Sequence, residues 1–521
     1  MSRSCFPPSS QRWLLVALCC WGCGAPARVE IETPAPLPER FEGAGAQERD
    51  ERTAEGAAEA GAAERGVLDP GSPWWLEWSA PSLNQLLDEL FTQNLQLAQA
   101  RARFLQLRGL SIQAGSERWP SLSLSASTSE RKQLNSFGRA FSFGPPGSAP
   151  PSSFTLQTYS LSVAASYEID VWGRIGAQVR ASERDEEAAA AELRALAVTL
   201  SASLVELWLQ LIELRENEQL LRAQVDRSRE LLELTELRFE QGLRPAVDAL
   251  QQRQQLAQLE AQQPPLQAQQ GQLQRQLNAL LGRYRGTIEL PAALPTAPAL
   301  PRLPVPAELL ARRPDIQAAR LRVAASDERV AAAFAARLPA LRLSADVGFQ
   351  AFEPAELLED VIWGWAVNLS APLFQAGRLE AAQRVREQQL REQLSAWGQL
   401  TIRAIHEVED ALANERALRA QSERIRERLE GANDLYALAE RRYREGVGDL
   451  LTVLNASQNL SQTEQGLLAA RRGSLSARVQ LHRALGGSWS ERVLGRQLEQ
   501  EVARERREQE VARERQEEER E

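Results

Sequence analysis

The stretch YSLSVAASYEIDVWGR, residues 159–174, and a later counterpart, VIWGWAVNLSAPLFQAGR, residues 361–378, decide how this chain folds. In the first, Tyr159, Leu161, Val163, Ala165, Tyr167, Ile169 and Val171 alternate with Ser160, Ser162, Ala164, Ser166, Glu168 and Asp170. In the second, Val361, Trp363, Trp365, Val367, Leu369, Ala371 and Leu373 alternate with Ile362, Gly364, Ala366, Asn368, Ser370 and Pro372. A period of two puts alternate side chains on opposite faces of a strand. Upstream, SLSLSAST (Leu122, Leu124 and Ala126 against serines) and LRLSADVGF (Leu341, Leu343, Ala345, Val347 and Phe349) carry the same alternation. The sequence therefore predicts four strands in two hairpins, each with an apolar, partly aromatic face.

Outward from each Gly-Arg pair the period becomes helical. Leu193, Leu196, Leu200, Leu204, Leu207, Leu211, Leu214, Leu221 and Val225 step by threes and fours, with one step of seven, among Glu, Arg and Gln. The plan then repeats: Gly173 and Gly377 stand as far apart as Gly242 and Gly446 (377 − 173 = 446 − 242 = 204). Neither run from the Gly-Arg pair to the second glycine contains proline. At 1.5 Å per residue each predicts a helix on the order of 100 Å long, an extended coiled coil. Gly242 and Gly446 then read as left-handed caps at the tips of long αα-hairpins, with apolar spacing resuming at Val247 and at Leu450. Pro264-Pro265 interrupts the first return helix.

A soluble sandwich and a transmembrane barrel both account for the strands. About ten alternating residues with an outward apolar band and aromatics near the ends favour the barrel, with Trp363 and Trp365 as lipid-facing anchors. Four strands do not close a barrel, and lipid tolerates no open sheet edge. Several chains must share one barrel, prolonged by the helices into an oligomeric conduit. Glu168 and Asp170 have two open roles, facing the lumen or capping the helix that begins near Arg174.

The rest of the chain bounds the function. With 61 Lys+Arg against 70 Asp+Glu the formal charge is −9, which disfavours nucleic acid as a partner. All four cysteines lie in the first 23 residues, and His406 and His482 are far apart, so neither a disulfide framework nor a metal centre is expected, and no cofactor. No nucleophile elbow or phosphate-binding loop is present, and the paired carboxylates sit in Arg-rich helices as solvated ion pairs, so an enzyme is not expected. Residues 1–22 read as a signal peptide. Cys23 follows Gly22 as the lipidated residue of a bacterial lipoprotein would, palmitate included; cleavage by ordinary signal peptidase with Cys23 a bystander is the alternative. The remaining expected segments are a flexible tether at 23–75, a first repeat at 76–289, a Pro-rich linker at 290–306, a second repeat at 307–488 and a charged C-terminal tail at 489–521.

The segments YEIDVWGRI (167–175), RRPDIQAARLRVAASDERVAAAFAARLPALRLSADVGF (312–349), APLFQAGRLEAAQ (371–383) and RRYREGVGDLLTVLNASQNL (441–460) resemble the TolC-like outer membrane efflux family, specifically its lipoprotein branch. The likeness covers about residues 80 to 488. It implies an α+β membrane protein: a homotrimer whose 12-stranded outer membrane β-barrel, four strands per chain, continues as a long α-helical coiled-coil barrel in the periplasm. It also implies docking of a periplasmic adaptor and an inner-membrane pump, and hence drug efflux; a type I protein-secretion outlet and a non-pore periplasmic scaffold are the alternatives. By the same likeness Gly242 and Gly446 are adaptor-contact tips, helix capping being a compatible role. Leu451 and Asn455 match the family's resting gate, with Asn where the family carries Asp. Asp449 either supplies that negative charge or caps the return helix, and Tyr443, with Arg442, is expected to link helices at the gate.

Overall fold

The computed structural model describes residues 73–134, 153–298, 300, 306–487 and 489–518. The signal segment, Cys23, the expected tether up to residue 72 and the connection between the first two strands lie outside the described residues. In chain order the elements are α1 (Pro81–Gln93), α2 (Leu95–Ser116), β1 (Ser121–Leu134), β2 (Ser153–Ile169), α3 (Arg174–Glu240), α4 (Ala246–Glu260), α5 (Gln263–Leu280), α6 (Pro306–Arg312), α7 (Pro314–Ala335), β3 (Ala340–Ala351), β4 (Val361–Ser370), α8 (Arg378–Arg444), α9 (Leu450–Ala484) and α10 (Trp489–Glu518). Helices α3 and α8 are each 67 residues long. The first return path breaks into α4 and α5 ahead of Pro264-Pro265, whereas α9 runs 35 residues without a break.

Two compact units result, and each contains segments of both copies. The strand unit comprises residues 106–187 and 321–395, and the helical unit the described remainder. The duplication visible in sequence is thus not a division into two folded halves.

In the strand unit, β1-β2-β3-β4 form one antiparallel sheet, with β1 and β4 at its edges. Its register stacks like with like. Leu124, Val163, Val347 and Trp363 lie in one row, and Leu122, Ala165, Ala345 and Trp365 in another. Leu122, Trp363 and Trp365 are 75%, 71% and 72% exposed, so this apolar face has no cover from the described residues of its own chain. The opposite face carries hydroxyls: Ser125 and Ser162 lie 2.9 Å apart, Ser127 and Ser160 2.8 Å. Gly348 is required there, since a Cβ would stand 2.5 Å from the Leu161 carbonyl oxygen.

The strands depart from the alternation at their ends. β2 begins at Ser153 and stops at Ile169 because Asp170 turns the chain, its carboxylate accepting from the backbone N–H groups of Ile175 (3.1 Å) and Gly176 (2.7 Å) at the start of α3. β4 stops at Ser370, short of Pro372. Asp170 is thus the helix cap, while Glu168 lies on the polar face, where Arg174 (2.8 Å) and Arg342 (3.1 Å) share its carboxylate.

The helical unit is built on Leu193, Leu200, Leu204, Trp208, Leu211 and Ile212 of α3, all buried. Its ends correct two expected boundaries. A 3₁₀ turn over Trp74–Trp78 buries Trp74, Trp75 and Trp78, so the end of the expected tether is core. α10 likewise buries Trp489, Leu494 and Leu498 before its charged repeat begins. Trp75 meets Trp489 edge-on with ring centroids 4.5 Å apart, and Trp74 stacks on His482 at 4.9 Å. The start of the linker is pinned too, with the Leu294 side chain buried. Arg313, in the RRPDI segment, donates to Asp315 (2.8 Å), Glu407 (2.8 Å) and the Ala484 carbonyl (3.1 Å), joining three helices. These partners hold its guanidinium above its usual range against the opposing effect of burial.

Candidate functional site at the hairpin tips

Both long helices end in the same turn. At the first tip the N–H of Gly242 donates to the Phe239 carbonyl (2.9 Å) and that of Leu243 to Arg238 (2.9 Å). At the second, Gly446 donates to Tyr443 (3.0 Å) and Val447 to Arg442 (3.1 Å). The residue-for-residue match follows the repeat, and the glycines have φ of 72° and 82°. This hydrogen-bonded turn places its glycine in the left-handed region, where a Cβ costs energy. At neither position would an added Cβ meet another atom within 4 Å, so the outer surface of each turn is open.

Pro245 and Asp449 then occupy equivalent positions, each the extended residue before a return helix. Asp449 has the backbone of an N-cap but makes no side-chain cap bond, and it is exposed. Leu451 (55% exposed) and Asn455 lie one helical turn apart on the exposed side of α9, and Val447 of the turn is exposed as well. Leu451 and Asn455 therefore share one open face of α9, while Asp449 is exposed at its start.

Tyr443 links helices at the tip, as expected, but from its interior and not from the exposed side where Leu451 and Asn455 lie. It is fully buried, packed with Leu231, Ala439, Leu450, Val453 and Ala456. A phenol inside a tip needs a partner. Thr235 uses its hydroxyl proton on the Leu231 carbonyl (2.7 Å), so the Tyr443 hydroxyl donates to Thr235 Oγ1, 3.1 Å away. The Arg238 and Arg244 guanidinium carbons stand 5.0 Å and 5.3 Å from the Tyr443 ring centroid. Arg238 also donates to the carbonyls of Tyr443 (2.6 Å) and Arg444, and Arg244 to that of Gly448. Arg442, by contrast, is exposed. Nearby Tyr436 has its phenol pushed up, first by burial and then by Glu440.

Thr235, Arg238 and Arg244 are not legible in sequence as site residues. Basic residues in a helix's last turn normally read as partners of its own carbonyls, and only the packed tips show that these two reach the other copy. Chemically, the tips offer two open glycine turns, an exposed carboxylate and exposed apolar side chains at the second tip, and an internal clamp of two guanidiniums on one tyrosine. Among the described residues there, no nucleophile is paired with a base.

Comparison with known proteins places this geometry. The outer membrane efflux protein family matches residues 86–283 and 305–487. The chain is 32% identical over 429 residues to the pyoverdine export outer membrane protein OpmQ of Pseudomonas putida, covering 81% of this chain and 89% of that one. It is 30% identical over 339 residues to the toluene efflux pump outer membrane protein TtgF, also of Pseudomonas putida, covering 64% of this chain and 70% of the other. Among solved structures, the outer-membrane channel OprN superposes with a TM-score of 0.76 at 27% identity, covering 89% of this chain and 99% of OprN. The outer membrane protein VceC of Vibrio cholerae gives 0.73 at 28%, covering 80% and 98%. The fold is that of the trimeric TolC-like channels, in which four strands per chain are a share of one closed outer membrane barrel continued by a periplasmic helical barrel.

Proposed function

The chain belongs to the outer membrane efflux protein family, a family of channels and not of enzymes, and from that premise we propose that it is the outlet of a tripartite efflux system. In this reading it conducts substrates passively from a periplasmic adaptor and an inner-membrane pump to the exterior, through a trimeric pore gated at the tips. The observation that carries the reading is the sheet: four strands whose outer edges and apolar face have no partner or cover among the described residues, the other face lined with serine. Lipid accepts such a sheet only when neighbouring copies pair its edges, and the hydroxyl face then lines water.

The tips supply the remaining parts. Gly242 and Gly446 offer turns that a partner helix approaches without meeting a Cβ. Asp449, Leu451 and Asn455, exposed beside the second turn, form the gate surface in which three Asp449 carboxylates repel anions. Tyr443 acts behind that surface as the packing post of the closed tip. Relatives named for pyoverdine export and toluene efflux favour small organic cargo over secreted protein. Cys23 would add a lipid anchor.

The test is planar-bilayer conductance of the purified protein, paired with drug sensitivity of cells in which it replaces their own outlet. Discrete pores and restored resistance are expected. A protein that stays in solution without detergent and forms no pores is a periplasmic scaffold instead. Asp449→Ala should open more readily than the wild type; identical opening removes Asp449 from the gate.

A further inference from the structure

The polar face of the sheet is not uniform. Its inner rows are nearly free of charge: Ser121, Ser166, Ser344 and Ala366 in one, Ser125, Ser162, Gly348 and Ile362 in another. Between these two rows lies Ser123, Ala164, Asp346 and Gly364, with a carboxylate in the middle of β3. The cross-strand neighbours of Asp346 are an alanine and a glycine, and a Cβ added to Gly364 would sit 3.4 Å from an Asp346 oxygen. Neither the two flanking rows nor its own carries a guanidinium or ammonium to compensate it.

The other charges on this face divide into two groups. Toward the helices, Glu168 is shared by Arg174 and Arg342 while Asp170 is spent on the α3 N-terminus, so two cations face two carboxylates and cancel. Toward the loops, Arg131 lies on the same face as Ser123 and eight residues further along β1, about 27 Å at strand rise. The exposed Glu353, Glu356, Glu359 and Asp360 of the β3–β4 connection outnumber it at that end. Among the described residues Asp346 is therefore the uncompensated charge of the bore's middle.

Resting on the conduit reading, we propose that Asp346 makes the barrel lumen a salt-sensitive filter favouring cationic permeants. Twelve strands at the usual spacing and tilt give a radius of about 12 Å to the backbone. Three Asp346 carboxylates then form a ring about 9 Å from the axis, about 16 Å from one another by the same geometry. In water, with screening over the Debye length, this ring concentrates a monovalent cation on the axis about fivefold at 10 mM salt, about twofold at 0.15 M and hardly at all at 1 M. The cargo that gains is cationic or amine-bearing, and dianions lose most. The serine rows on either side bind nothing strongly, so permeants are sorted without being held.

Reversal potentials of the purified trimer in potassium chloride gradients test this, in the wild type and on an Asp449→Ala background that removes the tip carboxylate. Asp346→Asn keeps the shape of an exposed side chain and should lower the preference for potassium over chloride at least twofold at 10 mM salt, with no change at 1 M. Ser344→Asp, which adds a ring one row away, should raise it. Equal selectivity of wild type and Asp346→Asn at 10 mM overturns the filter while leaving the pore intact. Absence of any pore in the wild type overturns the conduit reading itself, and the filter with it.

Discussion

The Arg244 guanidinium donates to the backbone carbonyl of Gly448, and the two residues stand 204 positions apart, the offset of the repeat itself. Equivalent positions of the two copies are thus bonded directly to one another, so each tip closes the other. The same guanidinium lies over the Tyr443 ring. Arg244→Ala removes both contacts and leaves the Tyr443 core in place. It should raise the open probability of single channels and speed amide exchange at residues 443–449, while whole-protein stability falls by only about 1 kcal/mol because the arginine is half-exposed. Unchanged exchange at the tip would show that the bond restrains nothing.

Neighbouring glycines of the second tip should respond differently to one methyl group. At Gly446 a Cβ meets nothing, so Gly446→Ala incurs only the left-handed backbone penalty of about 1–2 kcal/mol. At Gly448 a Cβ would stand 2.7 Å from the Tyr443 amide nitrogen and 2.8 Å from the Arg442 carbonyl carbon, so the turn itself must shift. Gly448→Ala should loosen the tip to limited proteolysis more than Gly446→Ala does. If Gly446→Ala leaves the tip intact but abolishes binding of a purified adaptor, the adaptor-contact role stands apart from capping. Binding of the adaptor at full strength would leave that glycine as a cap alone.

How much of this is legible in the sequence depends on the range of the interaction. The strands, the long helices and both tip turns follow from local rules: alternation at Tyr159 and Val361, leucine spacing from Leu193, and a glycine where the helix must end. The roles of Glu168 and Asp170 stay open in sequence because lumen and cap lie two residues apart on one strand end, and only the direction of the chain separates them. That Tyr443 makes its link from inside the tip is hidden in sequence for a related reason. Its partners, Thr235 and Arg238, lie more than 200 residues earlier, and nothing local distinguishes a tyrosine facing a pore from one facing the other hairpin. The aromatic ends, Trp74 and Trp489, are hidden by the charged, low-complexity segments beside them.

Glu415 and Arg478 form a buried ion pair at 2.7 Å, with side chains 3% and 5% exposed, and Arg478 also holds the Pro298 carbonyl of the linker at 2.8 Å. Glu415→Ala strands a buried guanidinium and should cost about 3–5 kcal/mol, read as a lower midpoint of thermal unfolding in detergent. Replacing both members, Glu415→Leu with Arg478→Met, should recover most of that loss. A double variant no better than the single one would mean that the linker contact, not the ion pair, is what matters.

Adjacent residues of β4 report which face meets lipid. Trp365 lies in the apolar row and Ala366 in the serine row. An arginine on the lipid face near mid-membrane costs about 2–4 kcal/mol, whereas one in the lumen costs little. Trp365→Arg should therefore deplete heat-resistant trimers from outer membrane fractions, and Ala366→Arg should leave them. The reverse outcome would invert the faces and place Asp346 against lipid.

His482 supplies a pH dependence whose sign follows from its surroundings. The imidazole is buried against Trp74, and burial, reinforced by the nearby Arg478 charge, pushes its pKa down from 6.5 to about 3. In the unfolded chain it takes up a proton as pH falls through 6.5, while the folded protein stays unprotonated until about pH 3. Between those values the unfolded state binds more protons, so the folded state loses stability as the pH drops, by about 1.4 kcal/mol per unit. His482→Phe keeps a ring against Trp74 and removes the titration. Between pH 7.5 and 4.5 the wild type should therefore lose about 2–3 kcal/mol more than this variant, on the same linkage, measured as the difference in their unfolding midpoints. Parallel losses would mean that the imidazole charges inside the fold, with solvent reaching it between Trp74 and the helix that carries it.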